Sequence, residues 1–156
     1  MTERVKTGIK GFDELTEGGI PTGSSVLLTG GAGTGKTIFA LQYIYEGART
    51  FKEPGIFITL EGNVKNITWN MESFNWDIKG LQDKNLVKIY RLNLDPTRFD
   101  DDFNQLIEKE LDIIANMVKE IGAKRLVVDS TTAFGVWVEK KGYMRNILYQ
   151  FTSALK

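Results

Sequence analysis

The sequence predicts an α/β fold: a mostly parallel sheet with helices on both faces. Short apolar runs at 25–29, 56–60, 86–90 and 126–128 have the length of strands. Amphipathic stretches of helical period lie between them, as crossovers between parallel strands require. A Gly-rich turn at 30–37, Glu61 and Asp129 each follow an apolar run. In open parallel sheets ligands bind beyond those strand ends, so the three features are expected to converge.

The elements follow in order. Ile9, Phe12 and Leu15 recur at helical spacing before Gly18-Gly19, which predicts a short helix near 9–16. The strand over 25–29 leads through the turn into a helix over 36–50. Pro54-Gly55 opens the strand at 56–60. Asn63 is the expected N-cap of a helix over 64–74 that turns Ile67 and Met71 inward. Trp69, Phe74 and Trp76 are expected to pack that helix onto the sheet. The run 86–90 alternates less cleanly and reads as an edge strand. Residues 101–121 carry Phe103, Leu106, Ile107, Leu111, Ile114, Met117, Val118 and Ile121 on one face, with Gly122 after them. The strand at 126–128 and a helix near 142–156 complete the pattern. Asp100-Asp101-Asp102 sit at a helix start, where the dipole favours negative charge.

Composition narrows the chemistry. A chain of 156 residues, 42% hydrophobic, suits one globular domain over 1–156. Twenty basic and twenty acidic residues cancel, giving no electrostatic footprint for nucleic acid or anionic membrane. Without cysteine there is no disulfide framework, thiolate nucleophile or cysteine-bound metal. Histidine is absent too, so acid–base chemistry falls to carboxylates, Lys or Tyr. No stretch approaches the length of a membrane span and the N-terminus lacks a signal-peptide layout, so the expected compartment is the cytoplasm.

Gly30-Gly31-Ala32-Gly33-Thr34-Gly35-Lys36-Thr37 is the P-loop pattern, between strand and helix. Such a turn presents successive backbone N–H groups and a helix N-terminus to an anion. Gly31, Ala32, Gly33, Thr34, Gly35, Lys36, Thr37 and Ile38 are the expected phosphate-binding residues. Lys36 adds charge for the outer phosphates, and the Thr37 hydroxyl is an expected Mg²⁺ ligand. Asp129 can order the same ion through water, or cap the turn after its strand. Glu61 can orient an attacking water, or be a solvated strand-end residue. Residues 134–143 interleave aromatics with Lys140 and Lys141. Exposed, they can stack bases and touch phosphates; folded back, they cover the core.

The order of motifs resembles a KaiC-like domain of the RecA superfamily. Thr7-Gly8-Ile9-Lys10-Gly11-Phe12-Asp13-Glu14-Leu15, Gly18-Gly19-Ile20-Pro21-Thr22-Gly23, the P-loop, Phe57-Ile58-Thr59-Leu60-Glu61, Ser73-Phe74-Asn75-Trp76-Asp77, Arg125-Leu126-Val127-Val128-Asp129-Ser130 and Arg145 carry the resemblance over the whole chain. It implies ATP and Mg²⁺ at Lys36 and Thr37, metal support from Asp129, and Glu61 as hydrolytic base. It also implies a hexameric ring with ATP between subunits, with 134–143 near a channel where recombinase relatives contact DNA. The family often has two adjacent Glu where this chain has Glu61-Gly62. A RecA-type core also runs beyond the last predicted helix, so the resemblance implies the N-terminal two-thirds of one domain, lacking later core strands. The expected activity is ATP hydrolysis in regulation or signalling. Alternatives are a recombinase-like DNA-binding ATPase and an autophosphorylating kinase module. A GTPase is disfavoured, because no D-x-x-G follows Asp129 and no N-K-x-D occurs.

Overall fold

The computed structural model describes residues 3–93 and 102–130, with side chains from 105 onward in the second stretch. The order is β1 (Arg4–Val5), α1 (Phe12–Leu15), β2 (Ile20–Pro21), α2 (Lys36–Thr50), β3 (Gly55–Thr59), α3 (Val64–Ser73), α4 (Ile78–Asp83), β4 (Val87–Arg91), α5 (Asp102–Ile121) and β5 (Arg125–Asp129). The helix predicted near 142–156, segment 134–143, Asp100, Asp101 and Arg145 lie outside the described residues.

β3, β4 and β5 form a parallel sheet in the order β4–β3–β5. Side chains alternate across a strand, so β3 feeds two cores. Phe57 packs with Leu41, Ile44, Met71 and Ile78 from α2, α3 and α4 on one face. Ile56 and Ile58 meet Ile107 and Ile114 of α5 on the other. Every residue of β3 is consequently buried, and each large apolar side chain contributes about 1.5–3 kcal/mol. This is the predicted layering, with helices on both faces. β4 is an edge strand among the described residues, as its weaker alternation predicts.

Three expectations are corrected. Residues 25–29 form no strand, and Leu27 is 73% exposed. A strand exists only where a neighbour about 4.8 Å away supplies ladder bonds, and no described strand lies beside this segment. Trp69 is not a core residue: it is 73% exposed. With Ile67 and Met71 inward, a residue two positions after Ile67 falls on the opposite face of a 3.6-residue helix. Phe74 is exposed as well, although it stacks on Trp76 at 5.1 Å, and Trp76 stacks in turn on buried Tyr45 at 5.2 Å. Of the three aromatics only Trp76 joins the core.

The β1–β2 pair and α4 were not legible as periodic runs, being two and six residues long. The N-terminal segment is instead fixed by polar groups. Asp13 accepts from Thr7 Oγ1 at 2.7 Å and from the Thr7 and Gly8 N–H groups at 2.9 and 3.0 Å. Arg125, buried at the start of β5, donates from Nε and from Nη2 to Glu53 Oε2 and once each to the carbonyls of Lys6, Thr7 and Tyr43. Those five bonds use all five guanidinium N–H donors, and the guanidinium also lies 4.6 Å from the Tyr43 ring centroid.

Burial pushes the Asp13 carboxyl up, but its bonds to Thr7 and Gly8 and the Arg125 charge outweigh that, leaving it below its ordinary 3.8. A depressed carboxylate contributes stability that is whole above its unfolded value and is lost as pH falls through its folded value. Asp13→Asn is therefore expected to lower the melting temperature at neutral pH and to flatten the further loss as pH falls below about 4. Melting curves that fall in parallel with wild type over that window would contradict it.

Candidate functional site

The P-loop folds as its residues require. Gly33 and Gly35 have φ of 73° and 86°, the left-handed region that glycine adopts without strain. Thr34 Oγ1 donates to the Gly31 carbonyl at 2.8 Å and closes the turn. Gly35 is the N-cap of α2 and supplies no capping side chain, so the helix start is left to an external acceptor. Fifteen residues of α2 stand behind that terminus, and its dipole favours an anion there. Residues 30–34 are exposed.

Lys36 Nζ donates to the carbonyls of Gly30 and Gly31 at 2.8 and 2.6 Å. An ammonium has three N–H donors, so one remains while the other two brace the loop. The side chain is thereby held across the turn rather than extended into solvent.

Thr37 and Asp129 meet across 92 residues of sequence, with Thr37 Oγ1 donating to Asp129 Oδ2 at 2.6 Å. α2 brings the threonine and the C-terminal end of β5 brings the aspartate, because α2 packs across β3 and β5. Glu61 is exposed, two residues beyond β3, and Thr59 is paired in register with Asp129. The Leu60 N–H donates to the Asp129 carbonyl at 3.0 Å. The turn carrying Glu61 is thus joined to the residue that meets Thr37.

These groups suit a phosphate–Mg²⁺ ligand. The loop offers N–H donors and a cation for phosphate, and the Thr37–Asp129 pair offers hard oxygen atoms. Among the described residues no group of three or more His, Cys, Asp or Glu could hold a metal by itself. The remaining coordination would come from phosphate and water, the usual manner of Mg²⁺ binding.

Sequence reasoning did not single out Arg125 or Asp13 as anchors of the N-terminal segment, nor Glu110. Glu110 is buried and accepts from Tyr90 Oη at 2.8 Å. Burial, then the bond to Glu110 and its charge, push the Tyr90 hydroxyl up to about 12. A charged residue at a strand start and a polar residue on an apolar helix face were the available signals. Among the described residues no helix is long and apolar enough to cross a membrane.

A family model described as "ATPase: KaiC" matches residues 5–156. The circadian clock oscillator protein KaiC of Parathermosynechococcus lividus is 36% identical over 97% of this chain, which spans 28% of that relative. The UPF0273 protein PH0284 of Pyrococcus horikoshii is 36% identical over 99% of the chain, which spans 64% of it. The crystal structure of the KaiC-like protein PH0186 from Pyrococcus horikoshii OT3 superposes with a TM-score of 0.82 at 41% identity, over 97% of this chain and 64% of that one. The chain therefore spans less than two thirds of the length of these relatives. The likeness extends to the RecA-type α/β architecture that the motifs imply.

Proposed function

Since the chain belongs to the KaiC ATPase family, we propose that it binds Mg·ATP at the P-loop and hydrolyses it, with Glu61 orienting the attacking water. The Thr37–Asp129 hydrogen bond of 2.6 Å is the observation that carries this reading. Two residues far apart in sequence, each with a metal-directed role at such a site, meet at the mouth of the phosphate loop.

The residues divide the work. The N–H groups of Gly31 to Ile38 and Lys36 would hold the phosphates, and Thr37 and Asp129 would hold Mg²⁺, Thr37 through its hydroxyl oxygen and Asp129 through water. Asp129 accepts the Thr37 hydroxyl hydrogen bond, which leaves the oxygen lone pairs of Thr37 free to face a cation. Mg²⁺, when bound, neutralises charge on the outer phosphate oxygens. Glu61 polarises and aims the water, the task that a chain without histidine leaves to a carboxylate. Lys36 stabilises the charge that develops on the transferred phosphoryl group. Assembly into a ring with nucleotide between subunits is the family's mode, and it forms part of this proposal. A regulatory or signalling setting is supported by the circadian-clock relatives.

The test is the Mg²⁺ dependence of ATP binding in Asp129→Asn and Thr37→Ala. Each is expected to lower affinity about tenfold or more in Mg²⁺ and to leave affinity in EDTA unchanged. An equal loss under both conditions would assign the pair to the fold alone.

A further inference from the structure

The turn after β3 carries an arrangement that the ATPase reading does not require. Thr59, the last residue of β3, is 3% exposed. Its Oγ1 accepts a hydrogen bond from the Gly62 N–H at 2.8 Å. That bond closes a turn through Leu60 and Glu61, with a hydroxyl oxygen standing where a backbone carbonyl would. Two backbone bonds hold the same turn from either side. Thr59 C=O accepts from the Leu92 N–H at 2.9 Å, and the Leu60 N–H donates to Asp129 C=O at 3.0 Å.

Gly62 fits this turn for a steric reason. A Cβ there would stand 2.7 Å from Thr59 Oγ1 and 2.8 Å from Ile67 Cδ1. Both are closer than a Cβ ordinarily sits, so the Thr59 hydroxyl or the end of the Ile67 side chain must shift to admit a side chain at 62.

We infer that Thr59 is a positioning residue for Glu61: its buried hydroxyl, bound to the Gly62 N–H, fixes the backbone from which the Glu61 carboxylate projects. The inference rests on the reading of Glu61 as the group that orients water. Thr59 is buried and acts through the turn that its hydroxyl closes. Aiming a water in line is sensitive to displacements on the order of 1 Å, which cost about 10²-fold in rate. A clamp on the backbone of Glu61 affects that step and leaves the phosphate loop in place, since Thr34 and Lys36 bond the Gly30 and Gly31 carbonyls within the loop itself.

The experiment compares ATP turnover and ATP affinity in the full-length protein for Thr59→Val, Thr59→Ala, Thr59→Ser, Glu61→Gln and the double variant Thr59→Val/Glu61→Gln. Valine keeps the shape of threonine and removes the acceptor; serine keeps the acceptor. Thr59→Val is expected to lower kcat about 10- to 100-fold with ATP affinity unchanged, and Thr59→Ser is expected to keep most of the rate. In the double variant Thr59→Val is expected to add little to the loss from Glu61→Gln, because both act on one step. Faster amide exchange at Gly62 in Thr59→Val, with the rest of the sheet protected as in wild type, reports the opened turn without reference to activity. Full turnover in Thr59→Val, or a loss that multiplies with Glu61→Gln, would overturn the inference while leaving Glu61 in place. Unchanged turnover in Glu61→Gln would overturn the Glu61 reading and this inference with it. Should Thr59→Val fail to fold, Thr59→Ala, which also lacks the acceptor, and the serine variant decide by the same split between kcat and affinity.

Discussion

Lys36→Ala is expected to weaken Mg·ATP binding by about 10- to 100-fold while leaving the melting temperature nearly unchanged. A hydrogen bond to a charged partner is worth roughly 1.5–3 kcal/mol, which converts to that range. The substitution also removes the two bonds that Nζ makes to the Gly30 and Gly31 carbonyls. Those carbonyls belong to an exposed loop, so water replaces the ammonium at little cost. The loss should therefore appear in binding and not in folding. Equilibrium titration with a fluorescent ATP analogue measures the first, and thermal unfolding without nucleotide measures the second. Unchanged affinity in Lys36→Ala would place the phosphates elsewhere.

Glu61→Gln is expected to retain ATP affinity and to lose hydrolysis by a factor on the order of 10² or more. Glutamine preserves the size and hydrogen-bonding reach of the side chain but lacks the charge that polarises water. Glu61 is exposed at the sheet's C-terminal edge, outside both hydrophobic cores. Its replacement should consequently leave the fold intact. Steady-state phosphate release together with bound-nucleotide measurements separates the two quantities. Wild-type turnover would make Glu61 a solvated strand-end residue and move the search for the base elsewhere.

The fold was legible where a pattern repeated often enough to exclude alternatives. The apolar face of 101–121 and the Asn63 cap, whose side chain accepts from Lys65 N–H at 2.9 Å, are local signals, and both elements form where they predict. The apolar run at 25–29 has the same local signal as 56–60 and forms no strand, because ladder bonds depend on a neighbour and not on the run itself. Trp69 faces outward because helical phase, set by Ile67 and Met71, and not hydrophobicity alone decides which side of α3 it occupies. At the proposed site, Lys36, Thr37, Glu61 and Asp129 were nameable from the P-loop pattern, from their places after apolar runs and from the family resemblance. The 2.6 Å contact between Thr37 and Asp129 and the Thr59–Gly62 turn were not. Both depend on how strands lie side by side, which is a property of sheet register.

Soaking or co-crystallising the full-length protein with Mg²⁺ and a non-hydrolysable ATP analogue tests the central claim most directly. The predicted result has the phosphates on the N–H groups of Gly31 to Ile38 and Lys36 Nζ on an outer phosphate oxygen. Mg²⁺ should lie about 2.1 Å from Thr37 Oγ1, with Asp129 against a metal-bound water or the threonine hydroxyl, and Glu61 should face a water beside the terminal phosphate. Nucleotide bound away from the loop, or Mg²⁺ placed without Thr37 and Asp129, would contradict the account.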